Sequence, residues 1–422
     1  MTELRRHALA TYAQLPWPHP SDDIWRRTDT SLLNPPEGFS PVPPTAGNEA
    51  AWRSSDLAAF LQPLGGERLL LRVNGVTSTD VDDTGDGLSV QPLSVAAQER
   101  PEPIRHIMEA DGLTPAERKL TSLNAAFHHG GIAVRVPEGF SGQQPLRLIQ
   151  AWSVEGRQAV FPMTIITVGA GGSITLIDEY VSVSSSSDGE GSHIPHMINA
   201  RIELVLEPDA HVQYVRLQRW DRAAREFLLQ RVTLARGATL TLANLTLGSA
   251  VSKAHTITKL LGERATTQLC GFVFGQDQQH VDQHTVQDHQ APHTSSDLQF
   301  RAALQDRSRM IYTGLIRIAK SATQTNAFQA NHNLLLSRAA KAETIPMLEI
   351  LADDVQCKHG ASVGPIDEEH LFYLRARGIG REHAERLIVM GFVEPIIQQV
   401  PFEPLRQRLR EEIEGHLHQE RS

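Results

Sequence analysis

Short strand-like segments follow one another from about Pro145 onward, and helices are nearly absent between them. A turn with a small residue introduces each segment, and the recurring openings are Gly172, Ala210, Ala238, Ala265, Ser308 and Ala342. Their starts are separated by 38, 28, 27, 43 and 34 residues. Because a βαβ sheet needs helical crossovers between its strands, this pattern favours a solenoid of stacked β coils. A β-sandwich is the alternative that the pattern leaves open.

The segments on either side of this β region are predicted to be helical or mixed. Residues 1–144 form the first region, in which residues 22–28 are predicted to be a polar helix that carries Trp25. Thr114, Pro115 and Glu117 predict the start of a clearer helix, with a capping box and a proline in the first turn. The β core spans 145–364, and a C-terminal helical domain spans 365–422.

The last predicted helix covers about Glu403 to His418 and carries an apolar stripe at i,i+4 spacing. The residues of the stripe are Leu405, Leu409, Ile413 and Leu417. Such a stripe packs either on neighbouring elements or on a partner, and the sequence leaves both open. Upstream, Asp367 is a predicted N-cap and Gly378 a predicted C′ residue for another helix.

Composition limits the partners and the compartment. The chain has 422 residues, a formal net charge of −9 and only two cysteines. The negative charge argues against nucleic acid as the main partner, and no apolar run approaches the roughly 20 residues that span a bilayer. Two cysteines provide no disulfide framework, and the N-terminal residues lack an apolar signal sequence. The expected location is therefore the cytoplasm, away from membranes.

Cys357 and His359 are the main candidate site residues. The apolar stretch 345–352 precedes them and predicts a buried strand, and a predicted helix start follows at 366–370. In an extended segment, residues two apart point to the same face. A thiolate and an imidazole side by side fit a thiophilic metal or a sulfur-transfer site. The simpler alternative is a buried cysteine beside a hydrogen-bonded histidine.

A second candidate cluster consists of histidines. Its members are His280, His284, His289 and His293. Histidine is the commonest metal ligand among side chains, but Pro292 and the β context keep these four from stacking on one helix face. No carboxylate completes a recognised triad with them, so structural, hydrogen-bonded histidines are expected. Cys270 is expected to be a core residue. The sequence has no G-x-x-x-x-G-K-[ST] motif for ATP hydrolysis and no G-x-S-x-G or H-E-x-x-H motif.

Several segments of the chain resemble the SufB/SufD family of iron–sulfur cluster assembly scaffolds. They are HTVQDHQAPHTSSD at 284–297, GLIRI at 314–318, QTNAFQANHNLLLS at 324–337, PMLEILADDVQCKHGASVG at 346–364 and IDEEHLFYLRARGI at 366–379, with LNAAF at 123–127 and GIAVRVPEG at 131–139 earlier in the chain. The likeness covers most of the chain and is strongest in its last third. The DDIWRRTD segment at 22–29 and the C-x-H pair at Cys357 and His359 resemble the SufD branch of the family.

This resemblance implies a mainly β fold, a right-handed parallel β-helix core between N-terminal and C-terminal helical regions. It also implies a non-catalytic scaffold that pairs with a SufB-like subunit through the end of the β-helix. A separate SufC-like ATPase would dock on the C-terminal helices, which agrees with the missing nucleotide motif. Cys357 and His359 would then hold iron or a nascent cluster at the SufB interface. No cofactor is expected to stay bound to this chain alone. Flavin binding by the complex and a homodimer of the isolated chain are left open.

Two further functions remain as alternatives. One is that the chain acts as a SufB-like subunit that assembles a cluster itself. A β-helix is also a common scaffold for carbohydrate-active enzymes, but those sites need paired carboxylates roughly 5–10 Å apart. The β region has no regular row of carboxylates, which makes this alternative the weaker one.

Overall fold

A computed structural model describes residues 2–32, 38–43, 57–77, 87–109, 113–128, 130–154, 156–183 and 194–418. In chain order, helices precede and follow a long series of strands. The helices are α1 (Thr2–Gln14), α2 (Leu57–Phe60), α3 (Leu93–Glu99), α4 (Pro101–Glu109), α5 (Pro115–Phe127), α6 (Glu368–Ala376), α7 (Arg381–Ile397) and α8 (Glu403–His418), with a 3₁₀ turn at Thr30–Leu32.

The described strands form two sheets. Sheet 1 contains β1 (Ser40–Pro41), β4 (Ser89–Pro92), β5 (Ile132–Val136), β7 (Gln158–Val160), β8 (Met163–Val168), β10 (His196–Leu206), β12 (Ala224–Leu234), β14 (Val251–Leu260), β16 (His280–His289), β18 (Arg309–Ile318) and β20 (Lys341–Ile350). Sheet 2 contains β2 (Arg68–Val73), β3 (Val76–Thr77), β6 (Leu146–Ser153), β9 (Ser173–Val183), β11 (His211–Arg219), β13 (Thr239–Thr246), β15 (Thr266–Gly275), β17 (Ser295–Leu304), β19 (Thr325–Leu335) and β21 (Val355–Pro365).

Successive strands alternate between the two sheets, so each pair of strands makes one coil of a parallel β-helix. From β8 to β19 each strand pairs in parallel with the strand two places further along the chain, and the last of these partners are β20 and β21. The sandwich alternative is therefore wrong and the parallel β-helix is confirmed. Strands β2 and β5, which precede residue 145, already belong to the two sheets.

The irregular spacing seen in the sequence has a simple origin. The openings at Gly172, Ala210, Ala238 and Ala265 all precede strands of sheet 2, and their separations are true coil lengths. Ser308 directly precedes β18 and Ala342 is the second residue of β20, and both of these strands belong to sheet 1. The interval of 43 residues therefore joins two different sheets. That interval passes over β16 of sheet 1 and β17 of sheet 2, which the sequence pattern did not single out.

The main core fills the lumen between the two sheets. Residues alternate between an inner face, towards the lumen, and an outer face, as the period of two requires. Inner-face residues such as Ile202, Leu228, Leu242 and Leu298 are at most 1% exposed and belong to one apolar cluster.

The N-terminal region packs on the outer face of sheet 1. Thr114 caps α5, and Thr114 and Glu117 form the predicted capping box with Pro115 in the first turn. The helix predicted at residues 22–28 is wrong, because this segment forms a series of turns. Trp25 explains the difference: its indole is 0% exposed and stacks on Phe227 of β12 with ring centroids 5.6 Å apart, so tertiary packing determines the local conformation.

The C-terminal helices cover the outer face of sheet 2. The predicted caps Asp367 and Gly378 are confirmed, the second with φ 84°. The stripe of α8 is buried in a cluster that includes Val215 and Phe272, so its apolar side packs within the chain and is not free for a partner. Arg219 of β11 lies 2.6 Å from Glu412 of α8 and 2.5 Å from Glu179 of β9, a buried ionic link between helix and sheet.

Candidate functional site

The last strand of each sheet has a neighbour on one side only. β20 pairs with β18 and β21 pairs with β19, and no described strand pairs with their opposite edges. A free edge offers a row of backbone N–H and C=O groups to another strand. Within the described residues, the β-helix therefore finishes in two strands with unpaired outer edges, β20 and β21, which together form its open end.

Lumen-facing side chains at the open end are exposed where their neighbours one coil earlier are buried. Leu348 lies in register with Ile316, and Ile350 with Ile318. Ile316 and Ile318 are 0% exposed, whereas Leu348 and Ile350 are 39% and 40% exposed. The stretch 345–352 thus contains the predicted strand, but the prediction that it is buried is wrong, because no described coil covers it. Exposed apolar surface of this kind is typical of an interaction site.

Cys357 and His359 lie on β21 and share its inner face. Cys357 is in register with Ala327 and His359 with Gln329, and both of these partners are buried. Cys357 is half-buried and packs at the edge of the apolar cluster that contains Ile316. Burial raises the pKa of its thiol, whereas His359 is exposed. The structure therefore brings the two predicted side chains together, with the thiol partly covered and the imidazole open to solvent.

This pair does not complete a metal site alone. Over the described ranges, no group of three or more His, Cys, Asp or Glu side chains could hold a metal ion. Iron–sulfur clusters are commonly held by four cysteines, or by cysteine and histidine ligands together. Cys357 and His359 supply at most half of such a set, so the other ligands would have to come from outside this chain.

Buried amides lie beneath the open end, a feature that sequence reasoning missed. Gln329, Asn331 and Asn333 occupy successive inner-face positions of β19 and are at most 3% exposed. The corresponding residues one coil earlier are Leu298, Phe300 and Ala302. On the inner face of sheet 2, the residues at these three positions thus change from apolar in β17 to amides in β19. The sequence did contain a signal for this feature. From Gln329 to Asn333 in β19 every second residue is an amide, whereas in β17 the residues at the same positions are apolar.

Two of the clustered histidines belong to a buried polar network on the outer face of sheet 1. His284 Nε2 lies 3.0 Å from Asp282 Oδ1, and Lys253 Nζ lies 2.7 Å from Asp282 Oδ2. His280 Nε2 is 3.2 Å from the Thr28 hydroxyl. Burial and the Lys253 ammonium lower the pKa of His284 to about 4, which keeps this imidazole neutral at pH 7. A lysine paired with the central carboxylate does not favour a cation there.

The other two histidines have separate structural roles. His289 faces the lumen, and its two ring nitrogens lie 2.8 Å from Thr294 Oγ1 and 2.8 Å from Ser296 Oγ. His293 is exposed at a corner between coils with φ 59°. The expectation of structural, hydrogen-bonded histidines is confirmed for His280, His284 and His289. Cys270 is a core residue, as expected: it is 0% exposed beneath the C-terminal helices, and burial raises its pKa to about 12.

A comparison with protein-family models identifies the core of the chain. Residues 151–392, more than half of its length, match the SufBD core domain of the SUF system for iron–sulfur cluster assembly. The chain belongs to the SufBD family. The resemblance carried by segments such as 324–337 and 346–364 is therefore confirmed, and the SufBD core domain coincides with most of the β-helix and with α6 and most of α7.

Individual SufBD relatives cover different shares of the chain. The iron–sulfur cluster assembly protein SufD of Escherichia coli K12 is 31% identical over 244 residues, which are 58% of this chain and 56% of that protein. A SufBD family protein of Staphylococcus saprophyticus is 27% identical over 305 residues, 72% of this chain and 64% of the relative. A SufBD family protein of Synechocystis is 26% identical over 418 residues, 96% of this chain and 89% of the relative.

Membership of the SufBD family connects the chain with iron–sulfur cluster assembly and with an assembly role rather than a carbohydrate-active one. The described helices include none that is long and apolar enough to cross a membrane.

Proposed function

We propose that this chain is a SufD-type scaffold subunit, without catalytic activity of its own, in a cytoplasmic complex that assembles iron–sulfur clusters. The observation that carries the proposal is the open end, where two unpaired strand edges, exposed lumen residues and the Cys357–His359 pair occur together. Iron, or the cluster under construction, is the cargo of this site and not a resident cofactor.

The open end fits a partner that also has a β-helix. Such a partner, a SufB-like subunit, would add one strand to β20 and one to β21 and so continue both sheets by backbone hydrogen bonds. It would also cover Leu348, Ile350 and Val363, which are 39–43% exposed. A single interface would thereby pair the backbone groups at both strand edges and cover the apolar surface of the last coil.

Cys357 and His359 would lie inside that interface as cluster or iron ligands. A coordinating thiol has to be deprotonated and a coordinating imidazole neutral. Burial raises the pKa of Cys357, so the free thiol stays protonated at neutral pH, and bound iron would supply the charge that favours the thiolate. Because the described chain offers no third ligand nearby, the SufB-like subunit would complete the set.

A SufC-like ATPase would dock on the outer side of the C-terminal helices. The apolar stripe of α8 is buried and cannot serve this contact. On α6, Phe372 is 73% exposed and Tyr373 is 55% exposed, and aromatic side chains of this kind are enriched at interfaces. These two residues are the proposed centre of the ATPase contact.

The test is reconstitution of the complex from this chain with SufB-like and SufC-like proteins. We expect Cys357→Ser and His359→Ala to leave complex formation intact and to lower cluster yield about tenfold or more, the scale of losing a metal contact. Lys358→Ala, on the opposite face of the same strand, is the matched control and should keep wild-type yield. Wild-type yield from the Cys357→Ser/His359→Ala double variant would refute the ligand role.

The pairing mode needs its own variants. Leu348→Asp should prevent binding of the SufB-like subunit, because it places a charge in the covered apolar surface. Leu9→Asp changes a residue of similar exposure, 46%, on α1, and should not affect binding. Equal binding by both variants would exclude the open end as the interface.

A further inference from the structure

Gln329 is the buried side chain beneath His359 and has an unused hydrogen-bond acceptor. It lies in register with His359 on the same face of sheet 2 and is 1% exposed. Its Nε2 donates to the Gly314 carbonyl oxygen at 3.1 Å, whereas its Oε1 has no partner within the described part of the chain. Buried polar groups without a partner are uncommon and need a reason.

The orientation of this amide follows from its surroundings. The Gly314 carbonyl accepts only, so the amide nitrogen has to face it and the amide oxygen has to face elsewhere. Gly314 also makes the space, since a Cβ at this position would lie 2.5 Å from Oε1 of Gln329. A fixed acceptor therefore remains in the lumen at the coil directly below His359.

An imidazole that binds a metal through one nitrogen commonly donates its other N–H to an oxygen acceptor, which fixes its tautomer and its direction. Strands paired in a sheet lie roughly 4.8 Å apart, so a side chain on the neighbouring strand in the same register is within reach of the ring. Asn333 has a similarly buried and unpartnered Oδ1 within the described residues, but it is in register with Val363, which has no such donor.

We infer that Gln329 is a positioning residue: its Oε1 accepts a hydrogen bond from the His359 imidazole and directs the other ring nitrogen of His359 towards the metal held with Cys357. This inference rests on the proposed ligand role of Cys357 and His359. It gives one of the buried amides of β19 a role in the metal site, where a buried amide would otherwise contribute to structure alone.

The test uses the full chain in complex with the SufB-like subunit and Co²⁺ alone as the metal probe, at pH 8, and follows the part of the thiolate-to-cobalt charge-transfer absorption that Cys357→Ser removes. Gln329→Leu should weaken cobalt binding about tenfold. This is the lower end of the range seen when a side chain that hydrogen-bonds to a metal ligand is removed. Gln329→Glu, which retains an acceptor, should recover most of the affinity. Asn333→Leu is the matched control, since it removes an equally buried amide away from His359, and it should leave the affinity unchanged.

A double-variant cycle separates positioning from stability. In a His359→Ala background, Gln329→Leu should cause no further loss of cobalt affinity, because the amide acts through the imidazole. Equal losses from Gln329→Leu and Asn333→Leu, or a full loss in the His359→Ala background, would overturn the inference. A cobalt affinity of the wild-type complex that His359→Ala leaves unchanged would overturn it as well, since no metal-bound imidazole would be left to position.

The two proposals fail in different ways. If cluster yield in the reconstituted complex is insensitive to Cys357→Ser and His359→Ala, the proposed function of the pair fails. If cluster yield depends on both residues but Gln329→Leu leaves the cobalt affinity unchanged, only the positioning role of Gln329 fails.

Discussion

Cys270 and Cys357 lie in the same sheet but face opposite sides of it. Cys270 shares its ladder with Gln299, Ala330 and Gly360, whereas Cys357 shares its ladder with Ala327. The first thiol therefore points outward, beneath the C-terminal helices, and the second points into the lumen at the open end. The two cysteines of the chain have entirely different chemical surroundings.

The two thiols should differ in reactivity. We expect a maleimide to modify Cys357 in the native chain and Cys270 only after unfolding in urea, as peptide mass spectrometry would determine. Cys270→Ser should lower the free energy of unfolding by about 1–3 kcal/mol, because a buried hydroxyl lacks a partner there. Cys357→Ser should cost less than Cys270→Ser. Fast labelling of Cys270 in the folded chain would contradict this arrangement.

A methyl group at Gly314 should destabilise the last coils. Gly314→Ala brings a Cβ against Gln329 Oε1 and the Tyr312 hydroxyl, so we expect a loss of about 1–3 kcal/mol in urea unfolding. Gln329→Ala in the same chain should reduce the cost of Gly314→Ala. Gly391→Ala is the control: its Cβ meets nothing within 4 Å on α7, and alanine should stabilise that helix by about 0.5–1 kcal/mol.

Stability should fall in acid through His289. Burial lowers the pKa of this imidazole to about 4, below the value of about 6.5 in an unfolded chain. The unfolded state therefore binds the proton first, and the neutral folded form contributes stability above pH 6.5 that is lost as pH falls towards 4. Linkage gives about 3 kcal/mol for this one group. Urea unfolding between pH 7 and 4 would measure it.

His289→Gln should reduce the number of protons taken up on unfolding in acid by about one, and so flatten the dependence of the unfolding free energy on pH. His293→Asn, at an exposed corner whose positive φ asparagine tolerates, is the control and should leave the slope unchanged. An unchanged slope in His289→Gln would contradict the assignment.

The N-terminal segment should depend on Trp25. Its indole is fully buried against Phe227 and lies 5.0 Å from the Lys253 ammonium, so Trp25→Ala should cost about 3–5 kcal/mol. Hydrogen exchange of the amides near Thr28 and Asp282 should accelerate in this variant. Trp17→Ala, at a partly exposed indole, should cost less, and the reverse order would place the anchor of this segment elsewhere.

Local rules predicted several features correctly. The capping box at Thr114 and Glu117, the N-cap Asp367 and the C′ glycine Gly378 involve residues within one helix turn of each other, so short-range physics determines them. The succession of strands without crossovers predicted the β-helix, and the C-x-H spacing predicted that Cys357 and His359 share a face.

Long-range packing decided the features that sequence reasoning got wrong or left open. Nothing near residue 25 in the chain indicates Phe227, yet this contact holds the segment in turns. In the sequence, the apolar stripe of α8 is equally compatible with packing on a partner and with packing on a sheet. The structure shows that it packs on sheet 2. The stretch 345–352 is as apolar as a buried strand, and only the position of β20 at the end of the stack exposes it.

The sequence by itself thus determined that Cys357 and His359 share one face, because this follows from a period of two along the backbone. Its pattern favoured the β-helix and left a β-sandwich open. Only the tertiary structure decided that this face lies in the last coil above Gln329. Register between strands that are about 30 residues apart depends on packing in the lumen, and no local pattern specifies it.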